Sequence, residues 1–122
     1  MRQFRIIGLL TLMSWSLAAD GQDCLENLDR AQQSYFDGAF GRVGELIGSC
    51  YQELDGNDKS TALRLLINAS LLTRQNDQAD TYMQELLDHE PLTESRSTDI
   101  VEFKELLNSY EIKTKYLSLI HI

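Results

Sequence analysis

The fold is decided by the stretch Ala62-Leu63-Arg64-Leu65-Leu66-Ile67-Asn68-Ala69-Ser70-Leu71-Leu72, in which eight of eleven residues are apolar. On a helix its polar residues form only a narrow stripe, so neighbouring elements must cover most of its circumference. An amphipathic surface helix needs cover on one face only. The stretch therefore predicts a central helix, with helical partners supplied by the chain before and after it.

The composition of the 122-residue chain is that of a single small, mostly helical domain. It contains one Pro and seven Gly, with 43% hydrophobic and 25% charged residues. The formal net charge of -8 argues against nucleic acid or an anionic membrane surface as the main partner. Acidity of this size favours solubility and does not identify a ligand.

The N-terminus has the features of a secretory signal peptide. A basic start, residues 1–5, precedes an apolar run of 12 residues at 6–17, and the small residue Ala18 follows. A transmembrane helix needs about 20 residues, so an uncleaved membrane anchor is the less favoured alternative. We expect cleavage after Ala18 to remove residues 1–18, so that no segment stays inserted in the membrane. The domain at 19–110 would then be exported.

Export makes the two cysteines, Cys24 and Cys50, informative, because an even count in a secreted chain favours a disulfide. Two predicted helices, A at about 23–36 and B at about 39–54, are separated by a turn at Gly38 and should be antiparallel. Each cysteine lies about 13 residues from the turn centre, so the two sulfurs should face each other. A pair of free buried cysteines is the alternative.

Three further helices complete the predicted architecture, and proline and capping residues set their ends. Helix C is capped by Asp58 or Ser60 and runs to about Arg74. Helix D runs from about Gln78 to His89 and ends before Pro91. Helix E runs from about Asp99 to Tyr110, with Asp99 and Glu102 as a capping box.

The A–B and C–D hairpins are similar to each other, and the second resembles tetratricopeptide repeats. Val43 and Ala79 occupy equivalent places 36 residues apart, close to the period of about 34 residues of that family. Asp55 stands where proline would close the first unit. The resemblance covers about residues 25–110 and implies an all-α fold of two antiparallel hairpins plus a C-terminal capping helix. The matching residues are Ala31, Gly38, Phe40 and Val43, then Leu63, Leu66, Ala79, Met83, Leu87 and Pro91.

A narrower resemblance is to a small exported N-terminal helical-repeat domain of envelope proteins from Bacteroidetes-type bacteria. The features that carry it are Cys24, Cys50, the run 62–66 and the segment 99–103. It implies a periplasmic or outer-membrane-associated location in a Gram-negative bacterium. In such proteins the domain is usually followed by an outer-membrane barrel or another envelope module.

Residues 111–122 are predicted to form a tail outside the domain. The last six, Leu117-Ser118-Leu119-Ile120-His121-Ile122, match the translation of a transposon end sequence used in some DNA sequencing libraries, and they do not continue the pattern of helix E. One interpretation is a gene fragment that runs into adapter sequence. The other is an ordinary apolar tail that packs onto the domain or onto a partner.

The sequence contains no recognisable catalytic or cofactor motif. The two histidines, His89 and His121, are too few for a metal site, and phosphate loops, zinc spacings and nucleophile elbows are lacking. We therefore expect a non-catalytic protein without cofactor or metal that binds a protein or peptide partner in the envelope, and no nucleic acid. The alternative is an N-terminal accessory module of a larger outer-membrane or surface protein, of which this chain is a fragment.

Arg64 and Asn68 are four residues apart and therefore share one face of helix C. In tetratricopeptide folds the first helix of each repeat lines the concave surface, so the resemblance implies a peptide groove at Arg64 and Asn68. Gln32 of helix A could line the same groove. The alternative is that Arg64 pairs with a nearby acidic side chain while Asn68 hydrogen-bonds within the fold.

Overall fold

The computed structural model describes the backbone of residues 20–120 and the side chains of residues 23–111. All regular secondary structure in this range is helical, which confirms the predicted all-α class. The helices are α1, Asp20–Phe36; α2, Gly41–Ile47; a short 3-10 helix, Tyr51–Glu53; α3, Gly56–Leu72; α4, Asn76–His89; and α5, Val101–Ile120.

Helix α3 is the centre of the molecule, as its apolar sequence predicts. It contacts α1, α2, the 3-10 helix, α4 and α5. Leu63, Leu66 and Ile67 are almost completely buried on it, and Phe103 of α5 and Met83 of α4 join the same core. Other contacts join α1 with α2, α1 with the 3-10 helix and α4 with α5. The pairs α1–α2 and α3–α4 form two antiparallel hairpins with short turns.

The two hairpin turns both use a residue in the left-handed conformation. Gly38 has φ +85° after α1, in agreement with the predicted glycine terminator of helix A. In the second hairpin the same conformation falls on Arg74, with φ +60°, although side chains other than glycine adopt it at some cost. Helix α3 therefore ends at Leu72, and the Gln75 amide donates to the Ser70 carbonyl at 2.8 Å.

The predicted helix B over residues 39–54 is wrong in its second half. Helix α2 ends at Ile47, and the chain turns before the 3-10 helix begins. A Cβ on Gly48 would lie 2.4 Å from the Gly44 carbonyl oxygen, so the chain at this point requires glycine. Each interior glycine also costs about 1 kcal/mol relative to alanine. The turn directs Cys50 to Cys24, and the predicted disulfide is confirmed with a Cα–Cα distance of 5.8 Å.

The predicted caps of helix C, Asp58 or Ser60, are wrong because α3 begins earlier. Asp55 is extended, and the helix starts at Gly56, whose φ of +53° suits glycine. Ser60 lies inside the helix and is buried. Its hydroxyl faces the Gly56 carbonyl at 3.3 Å and donates to the carboxylate of Glu90, which follows α4. Ser60 thus ties the start of α3 to the end of α4.

Helix α4 ends as predicted and begins two residues earlier than predicted. Its last residue is His89, and Pro91 follows almost at once. Its first residue is Asn76 rather than Gln78, because the left-handed Arg74 completes the turn within a very short connection. The predicted position of the second hairpin is therefore correct, and only its turn is tighter.

Helix α5 differs from predicted helix E at both ends. It begins at Val101 rather than Asp99, because the Asp99 carboxylate faces α3. It continues past Tyr110 to Ile120, so helical backbone extends into the predicted tail, 111–122. No glycine or proline follows Pro91 in the sequence, so neither of the strongest helix breakers stops it.

The predicted signal peptide, residues 1–18, and the last two residues, 121 and 122, lie outside the described residues. Among the helices of residues 20–120, none combines the length and the apolar character that crossing a membrane demands.

Candidate functional site

A cavity of about 280 Å³ lies between the end of α1, the middle of α3 and the connection that leads into α5. All three residues that the sequence analysis assigned to a groove, Gln32, Arg64 and Asn68, line it. They are brought together because α1 and α3 pack against each other. The other lining residues are Tyr35, Phe36, Thr61, Leu65, Arg96, Thr98 and Asp99.

Arg64 forms a buried ion pair at the floor of this cavity. Its Nη1 donates to Asp99 Oδ2 at 2.7 Å, and its Nη2 donates to the Glu94 carbonyl oxygen at 2.7 Å. The guanidinium carbon lies 5.4 Å from the centre of the Phe103 ring, a favourable cation–π distance. Burial lowers the pKa of the Arg64 guanidinium from its usual value, and the charge of Asp99 opposes that shift.

Asn68 uses both ends of its amide within the same network. Its Nδ2 donates to the Arg64 carbonyl at 2.9 Å and to Asp99 Oδ1 at 3.2 Å, while its Oδ1 accepts from the Ile100 amide at 3.1 Å. Asn68 and Arg64 thus attach the start of α5 to α3. The contacts agree with the alternative in which Arg64 pairs with an acidic side chain and Asn68 hydrogen-bonds within the fold. Peptide binding by the polar atoms of these two residues stays a prediction.

Asp99 is the hub that sequence reasoning missed, since its expected role was to cap helix E. Its Oδ2 accepts from the Arg96 amide at 2.7 Å as well as from Arg64. Tyr35 lies close enough for the charge of Asp99 to add to burial, the larger cause, in raising the pKa of its hydroxyl. The chain has 19 acidic residues, and no local pattern marks this one as the partner of Arg64.

One donor of the network has no partner among the described residues. Arg64 Nε is buried, and no hydrogen bond reaches it. A buried unpaired donor costs free energy because it has left water without replacement. The stacking of the guanidinium on Phe103 offsets part of this cost through the charge of the whole group.

The rim of the cavity is more accessible than its floor. Phe36 is 79% exposed beside the half-buried Tyr35, and Gln32 is half-buried. Arg96 and Thr98 are exposed on the opposite side. The local sequence does not distinguish Tyr35, Phe36 or Arg96 as rim residues, because only packing reveals which parts of α1 and of the connection stay uncovered.

A second set of polar contacts joins neighbouring helices away from the cavity. The Tyr51 hydroxyl donates to Glu85 at 2.5 Å, and burial together with this bond raises the pKa of Tyr51 to about 12. The Tyr110 hydroxyl donates to Asp80. The two hydroxyls also accept from glutamine side chains, Tyr51 from Gln52 at 3.5 Å and Tyr110 from Gln84 at 3.1 Å. In the part of the chain that the structure describes, no group of three or more potential ligands is arranged to hold a metal ion.

In comparisons with known proteins, no family model matches the chain, and no significant match was found among curated proteins or solved structures.

Proposed function

We propose that this protein is an exported, non-catalytic helical module that binds a protein or peptide partner in the cell envelope. The observation that carries the proposal is the cavity between α1, α3 and the connection to α5, with Phe36 79% exposed at its rim. A concave surface lined by aromatic side chains and a few polar groups is typical of binding sites. Tetratricopeptide-like recognition at this surface is part of the proposal.

The proposed absence of catalysis is supported by how the polar groups of the cavity are used. Arg64, Asn68 and Asp99 bond to one another and to the backbone of the connection. A catalytic acid, base or nucleophile must instead reach the reacting atoms of a substrate. The network is better suited to holding the shape of a binding surface.

Export to the periplasm or to the outer-membrane surface is supported by the disulfide. The bond between Cys24 and Cys50 persists in oxidising compartments and is rarely kept in the cytosol of mesophiles. The basic and apolar start of the sequence gives the same expectation. Both observations favour an envelope partner over a cytosolic one.

Site-specific crosslinking in the native envelope tests the proposal. A photoreactive phenylalanine analogue placed at Phe36 should give a discrete protein adduct. The same analogue at Leu92, which is 93% exposed and lines a different cavity, is the matched control and should give none. Adducts of equal yield at both positions, or none at either, would refute a partner-binding surface here and favour the accessory-module alternative.

A further inference from the structure

We infer that the cavity accepts one aromatic side chain from an extended segment of the partner, and that a carboxylate next to that side chain pairs with Arg96. This inference rests on the proposed function and specifies the chemistry of its ligand. In this arrangement the floor and the walls of the cavity contact the aromatic ring, and the rim contacts the carboxylate.

The floor favours an apolar group because its polar atoms either have partners already or, as with Arg64 Nε, are enclosed. Arg64 Nη1 and Nη2, both ends of the Asn68 amide and both oxygens of Asp99 are hydrogen-bonded within the protein. Arg64 Nε is enclosed and has no contact with solvent. A polar group that entered to this depth would lose water without gaining a free partner, which is costly.

The walls favour an aromatic ring over an aliphatic chain. Tyr35 and Phe36 lie side by side with ring centroids 6.1 Å apart and planes at 79°. A third ring placed against them could adopt the edge-to-face arrangement that aromatic pairs prefer. The cavity volume of about 280 Å³ lies just below the range of about 300–1,000 Å³ typical of small-molecule sites. The cavity therefore fits a single side chain better than a larger small-molecule ligand.

The rim supplies the charge complementarity. Of the charged residues that line the cavity, Arg64 and Asp99 neutralise each other, and Arg96 is left as an exposed cation. The chain as a whole carries -8, with 19 acidic and 11 basic residues, so exposed cations such as Arg96 are outnumbered by carboxylates. A carboxylate beside the aromatic residue gains attraction at Arg96 that it would find at few other places on an acidic surface.

Short blocked peptides test this inference without knowledge of the natural partner. The probe has phenylalanine followed by aspartate among glycine and serine, with acetylated and amidated ends so that no terminal charge contributes. Amide NMR titration should give a dissociation constant on the order of 1 mM, with shifts centred on Tyr35 and Leu65. Leucine in place of phenylalanine should weaken binding about three- to tenfold.

Variants of the protein locate the two halves of the ligand. Phe36→Ala should weaken the phenylalanine–aspartate probe about fivefold or more, and Leu92→Ala should leave it unchanged. Arg96→Gln should weaken it about two- to fivefold at low salt and less at high salt. A probe with asparagine in place of aspartate should bind the natural protein as weakly as the original probe binds the Arg96→Gln variant.

The outcomes separate this inference from the proposed function. Equal binding of the leucine and phenylalanine probes, or binding only of a peptide with a free C-terminal carboxylate, would overturn the inference. So would the absence of any shift at Tyr35. If crosslinking at Phe36 still gave a discrete adduct in any of these cases, the partner-binding role would stand with a ligand of different chemistry.

Discussion

The first hairpin contains a second helix of 7 residues, whereas the second hairpin joins helices of 17 and 14 residues. The short helix α2 buries Val43 and Ile47, and a disulfide joins α1 to the turn that follows α2. The α3–α4 hairpin buries more side chains, and the polar contacts of Arg64 and Ser60 attach the next connection to it.

The difference shows two ways to hold a helical hairpin in a small domain. Where one helix is too short to bury much apolar surface, a covalent link limits the unfolded chain instead. Where both helices are long, packing suffices, and polar side chains serve to position the chain that follows. In this protein the second arrangement shapes the cavity, because Asp99 belongs to that connection.

The largest expected effect is the loss of the buried ion pair in the second half. Asp99→Ala should lower the free energy of unfolding by about 3–5 kcal/mol, because it leaves the buried charge of Arg64 without a partner. Chemical denaturation measures the loss, and amide hydrogen exchange should place the earliest opening at α5.

Glu94→Ala is the control for this experiment. Glu94 is exposed and contributes only its backbone carbonyl to Arg64, so the change should cost less than about 0.5 kcal/mol. Adding Arg64→Met to Asp99→Ala should restore part of the lost stability, since no unpaired charge then remains. Equal losses from Asp99→Ala and Glu94→Ala would contradict a network that holds α5.

The next effect concerns the covalent link of the first half. Cys24 and Cys50 are separated by 26 residues, and opening the loop should cost about 3–4 kcal/mol by the chain-entropy account. Reduction should add the mass of two hydrogens and accelerate amide exchange in α1 and α2 before α3 and α4. The double variant Cys24→Ser/Cys50→Ser should be as unstable without reductant as the natural protein is with it. Uniform acceleration of exchange across both hairpins would contradict the view that the disulfide stabilises the first hairpin and packing stabilises the second.

The smallest effect separates two glycines of the first half. A methyl group on Gly48 would meet the Gly44 carbonyl oxygen at 2.4 Å, so Gly48→Ala should cost about 1–3 kcal/mol. A methyl group on Gly44 meets nothing within 4 Å outside the backbone of its own helix, so Gly44→Ala should instead stabilise α2 by about 0.5–1 kcal/mol. Thermal unfolding of the two variants should therefore shift in opposite directions, and a shift in the same direction would contradict the different surroundings of the two glycines.

Helix ends set by the backbone limits of nearby glycine and proline residues could be predicted from the sequence. Helix ends set by contacts between residues in the folded chain could not. The end of α4 near Pro91 and the turn at Gly38 follow from the backbone limits of these residues. The break after Ile47 was missed, because three glycines in an apolar pattern fit either a weak helix or a turn. The tertiary structure decides between them, because the Cys50 amide bonds to the Ile47 carbonyl three residues back, and Cys50 leaves the helical region at φ -121° where it bonds to Cys24.

For the candidate site, the sequence located Gln32, Arg64 and Asn68 on the correct helices but not the use of their side chains. Helical spacing determines that Arg64 and Asn68 share a face. It does not determine what covers that face, and here the connection before α5 covers the polar atoms while Phe36 stays exposed.

The sequence by itself determined the all-α class and the central helix α3, because apolar periodicity is a local property. It also predicted the pairing of Cys24 with Cys50 from their equal distances to the turn, and the structure confirmed that pairing. Only the tertiary structure decided that Asp99 is the partner of Arg64. The two residues are 35 positions apart, and 19 acidic residues compete for the role. The choice follows from how the connection folds back over α3, which brings one carboxylate within hydrogen-bond distance of the buried guanidinium.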